Sequence, residues 1–134
     1  MKRETVKSRR LIITPLSDGE LEKAACAQND RDMKKAYNEM LLGAKAHPES
    51  RVWYTEWKIE TLSGEAVGGI GFKGPPDRNK NNFAVEIGYG IDEAFRCKGY
   101  ATEAVLAMCD WAFSKEDCCL LSARRQKKAT APLF

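Results

Sequence analysis

The sequence predicts an α+β fold in which helices flank one mixed sheet, an α/β arrangement of three layers. Residues 52–61 and 66–72 alternate between apolar and other side chains and are joined by the turn Ser63-Gly64, which indicates an antiparallel hairpin. A further alternating segment, 83–91, leads through an amphipathic helix into a last apolar segment. A strand followed by a helix and another strand is typical of a crossover connection within a sheet.

A strand and a helix are predicted first along the chain. Residues 10–14 form an apolar segment that we expect to end at Pro15, because proline cannot donate to a ladder of backbone hydrogen bonds. A helix is expected to begin directly afterwards, since Ser17 and Glu20 have the spacing of a capping box. Such a cap contributes about 1 kcal/mol, which is enough to determine where the helix begins.

A second helix is predicted over residues 30–42, with Gly43 as its stop. Its apolar positions recur at helical spacing: Met33, Ala36, Tyr37, Met40 and Leu41. The polar connection 44–51 then contains His47, the only histidine in the chain. Nothing nearby in the sequence would orient its ring for proton transfer, so we expect a solvated side chain there and not a catalytic one.

Segment 83–91 and the helix after it have the clearest patterns in the chain. One face of the strand is apolar and the other carries Glu86 among small residues; the apolar face consists of Phe83, Val85, Ile87, Tyr89 and Ile91. The helix has one apolar stripe, made of Ala101, Ala104, Val105, Met108, Trp111 and Ala112. A last strand is predicted over residues 119–123, which gives the element order β-α-α-β-β-β-α-β.

The connection between that strand and that helix has the character of an anion site. Arg96 and Lys98 place positive charge beside Gly99, and the first N–H groups of a helix have no partner within it. The positive end of the helix dipole adds to this charge. The sequence therefore predicts that a phosphate group binds here. Cys97, in the same turn, is expected to be a small side chain tolerated in a loop.

Composition limits the possible classes of protein. The 134 residues suffice for one domain, and 43% hydrophobic with 31% charged residues is ordinary for a soluble protein. No apolar run approaches the roughly 18 residues that a membrane helix needs. The first residues also lack the apolar stretch of a secretory signal. We therefore expect a cytoplasmic protein without a membrane partner.

Charge and cysteine content exclude further classes. The net charge of +3 is concentrated at the ends, since residues 1–10 contain five Lys or Arg against one Glu and residues 124–128 contain four and no acid. Without interleaved aromatic residues or a nucleic-acid motif, these ends are expected to be solvated and not to bind nucleic acid. The five cysteines lack Cys-x-x-Cys spacing and a histidine cluster, which argues against disulfides and against a metal site.

The turn before the last helix resembles a known motif. Arg96, Gly99 and Ala101 match the R/Q-x-x-G-x-G/A pattern of the GNAT acetyltransferase superfamily. Trp57 and the segments 68–72 and 86–91 fit too, and resemble the branch that acetylates ribosomal-protein termini and similar amines. The resemblance covers roughly residues 8 to 122 and implies one GNAT-like domain over 1–134, with a mixed, mainly antiparallel sheet.

The resemblance also implies a reaction and its site. The co-substrate would be acetyl-CoA, and a primary amine on a protein N-terminus or a small molecule would attack the thioester directly. Arg96 and Lys98 would add charge near the diphosphate of CoA, which the backbone N–H groups of the turn would hold: Cys97, Lys98, Gly99, Tyr100, Ala101 and Thr102. Backbone groups of Tyr89, Gly90 and Ile91 would run beside the pantetheine arm.

Glu86 is the candidate general base, because it lies on the strand face opposite the apolar stripe. It would take a proton from the attacking ammonium group directly or through a water molecule. The alternative, that Glu86 faces solvent or pairs with a lysine, remains open. Tyr89 and Tyr100 are hydroxyl candidates for protonating the leaving thiolate. Neither is convincing, since Tyr89 shares the apolar face and Tyr100 lies in the predicted cofactor turn.

The chain departs from the GNAT pattern after about residue 123. Members of the superfamily normally continue with a helix and two strands, whereas residues 124–134 show no apolar periodicity and form an atypical tail. A domain that lacks these elements would leave a sheet edge open, so we expect homo-oligomers. The alternative function is a catalytically impaired remnant that binds acyl-CoA or oligomerises.

Overall fold

A six-stranded sheet forms the centre of the protein. The computed structural model describes residues 4–72, 74, 84–114 and 120–125. The strands lie in sequential order: β1 (Val6–Lys7), β2 (Leu11–Pro15), β3 (Glu56–Thr61), β4 (Ala66–Phe72), β5 (Ala84–Ile91) and β6 (Leu120–Arg125). Neighbouring strands from β1 to β5 are antiparallel, while β5 and β6 are parallel. The predicted mixed, mainly antiparallel sheet is therefore confirmed.

Within the described ranges, three helices cover the two faces of this sheet: α1 (Asp18–Ala27), α2 (Arg31–Ala46) and α3 (Tyr100–Phe113). On β3, Trp57 belongs to the core cluster that includes α3, whereas its neighbour Glu56 bonds to Tyr37 of α2. Alternate residues of a strand point to opposite faces, so α2 and α3 lie on opposite sides of the sheet. The three layers that the sequence predicts are present. No helix in the described part of the chain is long and apolar enough to cross a membrane.

Helix α3 is fixed to the sheet by aromatic packing. The ring of Trp111 lies 5.0 Å from that of Trp53 and 5.1 Å from that of Trp57, measured between centroids. Four residues of the predicted stripe are buried, with Ala104 and Met108 fully inaccessible, while Ala101 and Val105 are partly buried. Aromatic pairs at these distances contribute beyond their buried area, and together they hold the direction of the helix. The position of its N-terminus, where the predicted anion site lies, is set by this packing.

The capping box of α1 forms as expected from the sequence. The backbone N–H of Glu20 donates to Ser17 Oγ at 3.2 Å, and the backbone N–H of Ser17 donates to Glu20 Oε1 at 2.9 Å. The second oxygen of Glu20 accepts from Lys58 Nζ on β3 at 3.0 Å. The cap therefore also ties the start of α1 to the sheet.

The first strand was predicted over residues 10–14 and is Leu11–Pro15, so Pro15 is the last residue of the strand and not the residue after it. Pro15 belongs to β2 and lies opposite Trp57. The next N–H group, that of Leu16, donates to the backbone carbonyl oxygen of Glu56 at 2.9 Å. Pro15 thus occupies a pair position that exchanges no hydrogen bonds with β3. Its missing N–H faces the side of β1, which pairs with β2 only as far as Ile13.

The stop predicted at Gly43 was also wrong, since α2 continues to Ala46. A Cβ atom on Gly43 would lie 3.1 Å from Cδ1 of Tyr54, so the glycine allows this ring to approach the helix. His47 follows as the C-cap, stacks on Tyr54 at 4.4 Å, and places Nδ1 3.0 Å from the carbonyl oxygen of Gly43. These contacts give the only histidine a structural role at the helix end.

Two strand predictions need correction, and one strand was not predicted. Residues 52–61 are not one strand, because a 3-10 segment, Pro48–Trp53, precedes β3, and the indole N–H of Trp57 donates to Val52 at 2.9 Å. Strand β1 was missed, since two residues are too few to show alternation. The last strand is Leu120–Arg125, so the first two residues of the expected tail belong to it. Residues 75–83, 115–119 and 126–134, with Phe83 and the rest of that tail, lie outside the described residues.

Candidate functional site

The site is built around the carboxyl end of β5. Ile87 is fully buried, and Tyr89 and Ile91 pack against the same core, as the alternating pattern predicts. The opposite face of β5 meets β4 through two pairs of facing glycines, Gly69 with Gly90 and Gly71 with Gly88. This part of the sheet surface therefore carries no side chains on either strand.

The residues of β5 that are predicted to accept a proton and to bind the pantetheine arm lie at different positions along the strand. Glu86, the candidate base, is partly buried on the same face as the glycine pairs, away from α3. Parallel pairing with β6 reaches Tyr89, which lies opposite Arg125, so Gly90 and Ile91 lie beyond the last described pair. Gly90 and Ile91 therefore lie at the carboxyl end of β5, whereas Tyr89 lies in the part of β5 that pairs with β6.

Hydrogen bonds to β4 and within the connection itself hold the segment that follows β5. The backbone N–H of Asp92 donates to the carbonyl oxygen of Val67 on β4 at 2.8 Å, and a short 3-10 turn, Glu93–Phe95, follows. Arg96 Nε–H then donates back to the carbonyl oxygen of Ile91 at 2.9 Å. Partial burial raises the pKa of the Asp92 carboxyl group, while the positive charge of Arg96 acts against this rise. Arg96 therefore stabilises the conformation of the connection between β5 and α3.

Two residues with left-handed backbone conformation lead into α3. Cys97 has a φ of 62° and Gly99 has a φ of 82°. Cys97, Lys98 and Gly99 are all exposed. Gly99 is the N-cap of α3 and has no side chain with which to cap it. No side-chain hydrogen bond from the N-cap position reaches the first N–H groups of α3, which are the groups that the predicted phosphate site would use.

Sequence reasoning missed a cluster beside this turn. Arg10 donates to Glu103 twice, from its backbone N–H to Oε2 and from Nε to Oε1, both at 2.7 Å. The hydroxyl group of Ser8 also donates to Glu103 Oε2. The guanidinium carbon of Arg10 lies 4.5 Å above the ring of Tyr100. This cluster joins the connection between β1 and β2 to the first turn of α3.

The ionisation of Glu103 follows from these contacts. Partial burial acts to raise its pKa, but the hydrogen bonds from Ser8 and Arg10, together with the charge of Arg10, outweigh burial and lower it. Glu103 is therefore a carboxylate at neutral pH. The cluster was not predictable from spacing, because Arg10 and Glu103 are 93 residues apart in sequence.

A second group that the sequence did not single out is Glu56. Its carboxyl group is buried and accepts a hydrogen bond from the hydroxyl group of Tyr37. Burial raises its pKa well above the usual value, and the hydrogen bond from Tyr37 opposes that rise only in part. Glu56 lies opposite Gly71, which in turn lies opposite Gly88, so it shares the sheet face of the glycine pairs.

The sequence matches a known family model and a curated relative. The family model described as "Acetyltransferase (GNAT) domain" matches residues 10–131. A curated relative, the uncharacterized N-acetyltransferase YjdG of Bacillus subtilis (strain 168), is 42% identical over 60 residues, which are 45% of this chain and 34% of YjdG. The match thus spans about a third of that relative's length.

Solved structures share the fold. RimL, a ribosomal L7/L12 alpha-N-protein acetyltransferase in complex with coenzyme A, is 15% identical with a TM-score of 0.61, over 85% of this chain and 70% of RimL. A putative ribosomal-protein-serine acetyltransferase from Vibrio cholerae is 12% identical with a TM-score of 0.61, over 93% and 75% of the two chains. At these identities the likeness concerns the fold alone. The family model, however, covers most of the chain, including the glycine turn that begins α3, and so this chain belongs to the GNAT acetyltransferase domain family.

Proposed function

We propose that the protein is an N-acetyltransferase that transfers the acetyl group of acetyl-CoA to a primary amine. The observation that carries the proposal is the N-terminus of α3, where left-handed Gly99 supplies no capping side chain in a chain of the GNAT family. The solved structure of RimL, which shares the fold, contains coenzyme A. Acetyl-CoA is therefore the thioester whose binding fits this turn.

The turn suits the diphosphate of acetyl-CoA. Backbone N–H groups from Cys97 to Thr102 lie where the helix dipole is positive, so they would donate to phosphate oxygens in a favourable field. The exposed side chain of Lys98 would add positive charge. Backbone groups of Gly90 and Ile91, beyond the last described pair with β6, would accompany the pantetheine arm toward the face that carries Glu86.

The transfer itself needs one proton acceptor. In the proposed reaction the amine nitrogen attacks the thioester carbonyl, the C–S bond breaks, and the CoA sulfur leaves as a thiolate that must gain a proton. Glu86 would accept the proton that the ammonium group loses before or during attack. A backbone N–H at the end of β5 would stabilise the negative charge that develops on the carbonyl oxygen.

The acceptor is proposed at the level of its chemical class. Strands β4 and β5 have glycine at four positions on the face of Glu86, so these positions place no side chain beside the carboxylate. We propose that the amine reaches Glu86 along this face. Ribosomal-protein acetyltransferases and a spermidine/spermine N-acetyltransferase from Vibrio cholerae share the fold. We propose a protein N-terminus or a small-molecule amine accordingly, in the cytoplasm. Homo-oligomerisation stays a prediction.

A second candidate function is binding of acyl-CoA without turnover. It is favoured by the surroundings of the two tyrosines that could protonate the leaving thiolate. Tyr89 packs partly into the core on the α3 side of the sheet, and the ring of Tyr100 lies beneath the guanidinium group of Arg10. Neither hydroxyl group is positioned by these contacts toward the face of Glu86.

Calorimetry with acetyl-CoA and with CoA tests the proposal, together with a turnover assay on a panel of primary amines. Gly99→Glu should abolish binding, because a side chain and a negative charge would enter the turn where phosphate oxygens are expected. Gly64→Glu is the matched control: Gly64 also has a positive φ, of 94°, and a Cβ there meets nothing within 4 Å. Equal affinities of the two variants and the wild type would contradict the cofactor assignment, and binding without turnover would favour the second candidate.

A further inference from the structure

The arginine of the family motif is already engaged within its own loop. Arg96 Nε–H donates to the carbonyl oxygen of Ile91 at 2.9 Å. Burial raises the pKa of Asp92, and the positive charge of Arg96 opposes this rise. Arg96 therefore shapes the connection between β5 and α3. This leaves open which cation meets a ligand at the N-terminus of the helix.

Arg10 reaches that N-terminus from the connection between β1 and β2. Its Nε–H bond to Glu103 and its position 4.5 Å above the ring of Tyr100 hold the guanidinium group from two sides. Atom Nη2 lies 3.2 Å from the position that a Cβ atom on Gly99 would take. Nη2 is thus directed to Gly99, the N-cap residue of α3.

The charge arrangement favours an anion at this point. A cation beside the positive end of a helix dipole is destabilised, and Glu103 offsets that repulsion on one side of Arg10. Among the described residues, the ion pair of Arg10 uses Nε, and 42% of its side chain is exposed. A phosphate group next to Gly99 would interact favourably with both the terminal guanidinium nitrogens and the helix N–H groups.

We propose that Arg10 is a further cofactor-binding residue, whose terminal guanidinium nitrogens donate hydrogen bonds to phosphate oxygens of CoA at the start of α3. The inference rests on the proposed function, since it requires that CoA binds at this turn. Glu103 and Tyr100 act as positioning residues, because they fix the guanidinium group before the ligand arrives. Prior positioning of this kind reduces the entropy that binding would otherwise lose.

Calorimetric titration of Arg10→Gln with CoA tests this inference, and Arg9→Gln is the matched control. Arg9 is the exposed neighbour of Arg10, so its replacement removes the same charge one residue away. We expect Arg10→Gln to weaken CoA binding by about tenfold or more, as for loss of a hydrogen bond to a charged group, while Arg9→Gln changes it by less than about twofold. Arg10→Lys, which retains the charge, should give an intermediate loss, and thermal unfolding confirms that each variant is folded.

The ligands separate phosphate binding from a structural role. S-acetylpantetheine contains no phosphate, so Arg10→Gln should leave its affinity unchanged if Arg10 contacts phosphate. A loss that is equal for CoA and 3′-dephospho-CoA assigns Arg10 to the diphosphate, and a loss for CoA alone assigns it to the 3′-phosphate. Equal loss for S-acetylpantetheine, or equal affinities of the Arg9 and Arg10 variants for CoA, would overturn the inference. Wild-type protein that fails to bind CoA would overturn the proposed function as well.

Discussion

The hydroxyl group of Tyr37 donates a hydrogen bond to the buried carboxyl group of Glu56, with oxygen–oxygen distances of 3.2 and 3.4 Å. The bond joins α2 to the first residue of β3, and Glu56 is only 4% exposed. Burial is the main reason that the pKa of Glu56 is raised well above its usual value. The same surroundings raise the pKa of Tyr37, through burial first and then through Glu56. The pair therefore favours the protonated form of both groups.

Stability should consequently depend on the protonation of Glu56. Its folded-state pKa lies above the unfolded value, so its stabilising contribution is present below the unfolded pKa and is lost as pH rises through the folded one. Glutamine cannot ionise, and Glu56→Gln should therefore gain stability relative to wild type as the pH is raised from about 5 to about 8, by at most about 1.4 kcal/mol for each pH unit that lies between the unfolded and the folded pKa. Urea unfolding at the two pH values measures this difference.

Glu65→Gln is the control for this comparison, because Glu65 is exposed in the turn before β4. Its stability should follow that of the wild type at both pH values. Glu103 contributes with the opposite sign in all three proteins, since its lowered pKa makes its contribution fall as pH decreases. If Glu56→Gln and the wild type change by the same amount, Glu56 ionises in the folded protein as it does in the unfolded chain.

Gly68→Ala should destabilise the sheet at the site. A Cβ atom on Gly68 would lie 2.2 Å from the carbonyl oxygen of Gly90 and 3.0 Å from Cα of Ile91, and both are backbone atoms. Strands β4 and β5 would have to move apart, at a cost of about 1–3 kcal/mol for an overpacked position. Thermal unfolding measures the loss, and calorimetry should show weaker CoA binding because the end of β5 is displaced.

Gly19→Ala is the matched control for Gly68→Ala. Gly19 lies in α1, and the nearest atom to a Cβ there is Ser17 Oγ at 4.0 Å. Alanine is the better helix former, so this variant should be as stable as the wild type or more stable by about 0.5 kcal/mol. Equal stability of the Gly68 and Gly19 variants would mean that β4 and β5 accommodate a side chain at Gly68 without moving.

Local sequence patterns predicted the helices that are marked by a regular spacing of apolar residues or by capping residues at the helix start. The stripe of α3 from Ala104 to Met108 and the capping box of Ser17 with Glu20 depend on residues within one or two helical turns, so spacing alone reveals them. Gly43 was misjudged for the opposite reason. Its role is set by the ring of Tyr54, which only the tertiary structure places against α2.

The candidate site likewise has one part that the sequence predicted and another part that it did not. The turn around Gly99 is contiguous in sequence and was predicted, including the glycine at the helix start. The partners of that turn, Arg10 and Ser8, come from the other end of the chain, and Glu56 obtains its buried state from α2. Spacing contains no information about such contacts, because they depend on which strands become neighbours. A carboxylate in the first turn of α3 therefore looked like an ordinary helix residue.

Glu86→Gln tests the proposed base. Glu86 shares its sheet face with the glycine pairs of β4 and β5, and the change keeps the size of the side chain. We expect kcat to fall by about 10²–10⁴-fold, the usual contribution of a general base, because glutamine cannot accept the proton. Binding of acetyl-CoA should change little, since a base acts on the amine and not on the cofactor.

Glu93→Gln provides the control, because Glu93 is an exposed carboxylate in the turn after β5 and its loss changes the net charge equally. Its kcat should remain near that of the wild type. A Glu86→Gln protein that is fully active from about pH 6 to about pH 9 would show that Glu86 is not the base. Loss of acetyl-CoA affinity in parallel with kcat would instead assign Glu86 to the shape of the site. A selective fall in kcat, with affinity and the Glu93 control unchanged, is the result that proton removal by this carboxylate requires.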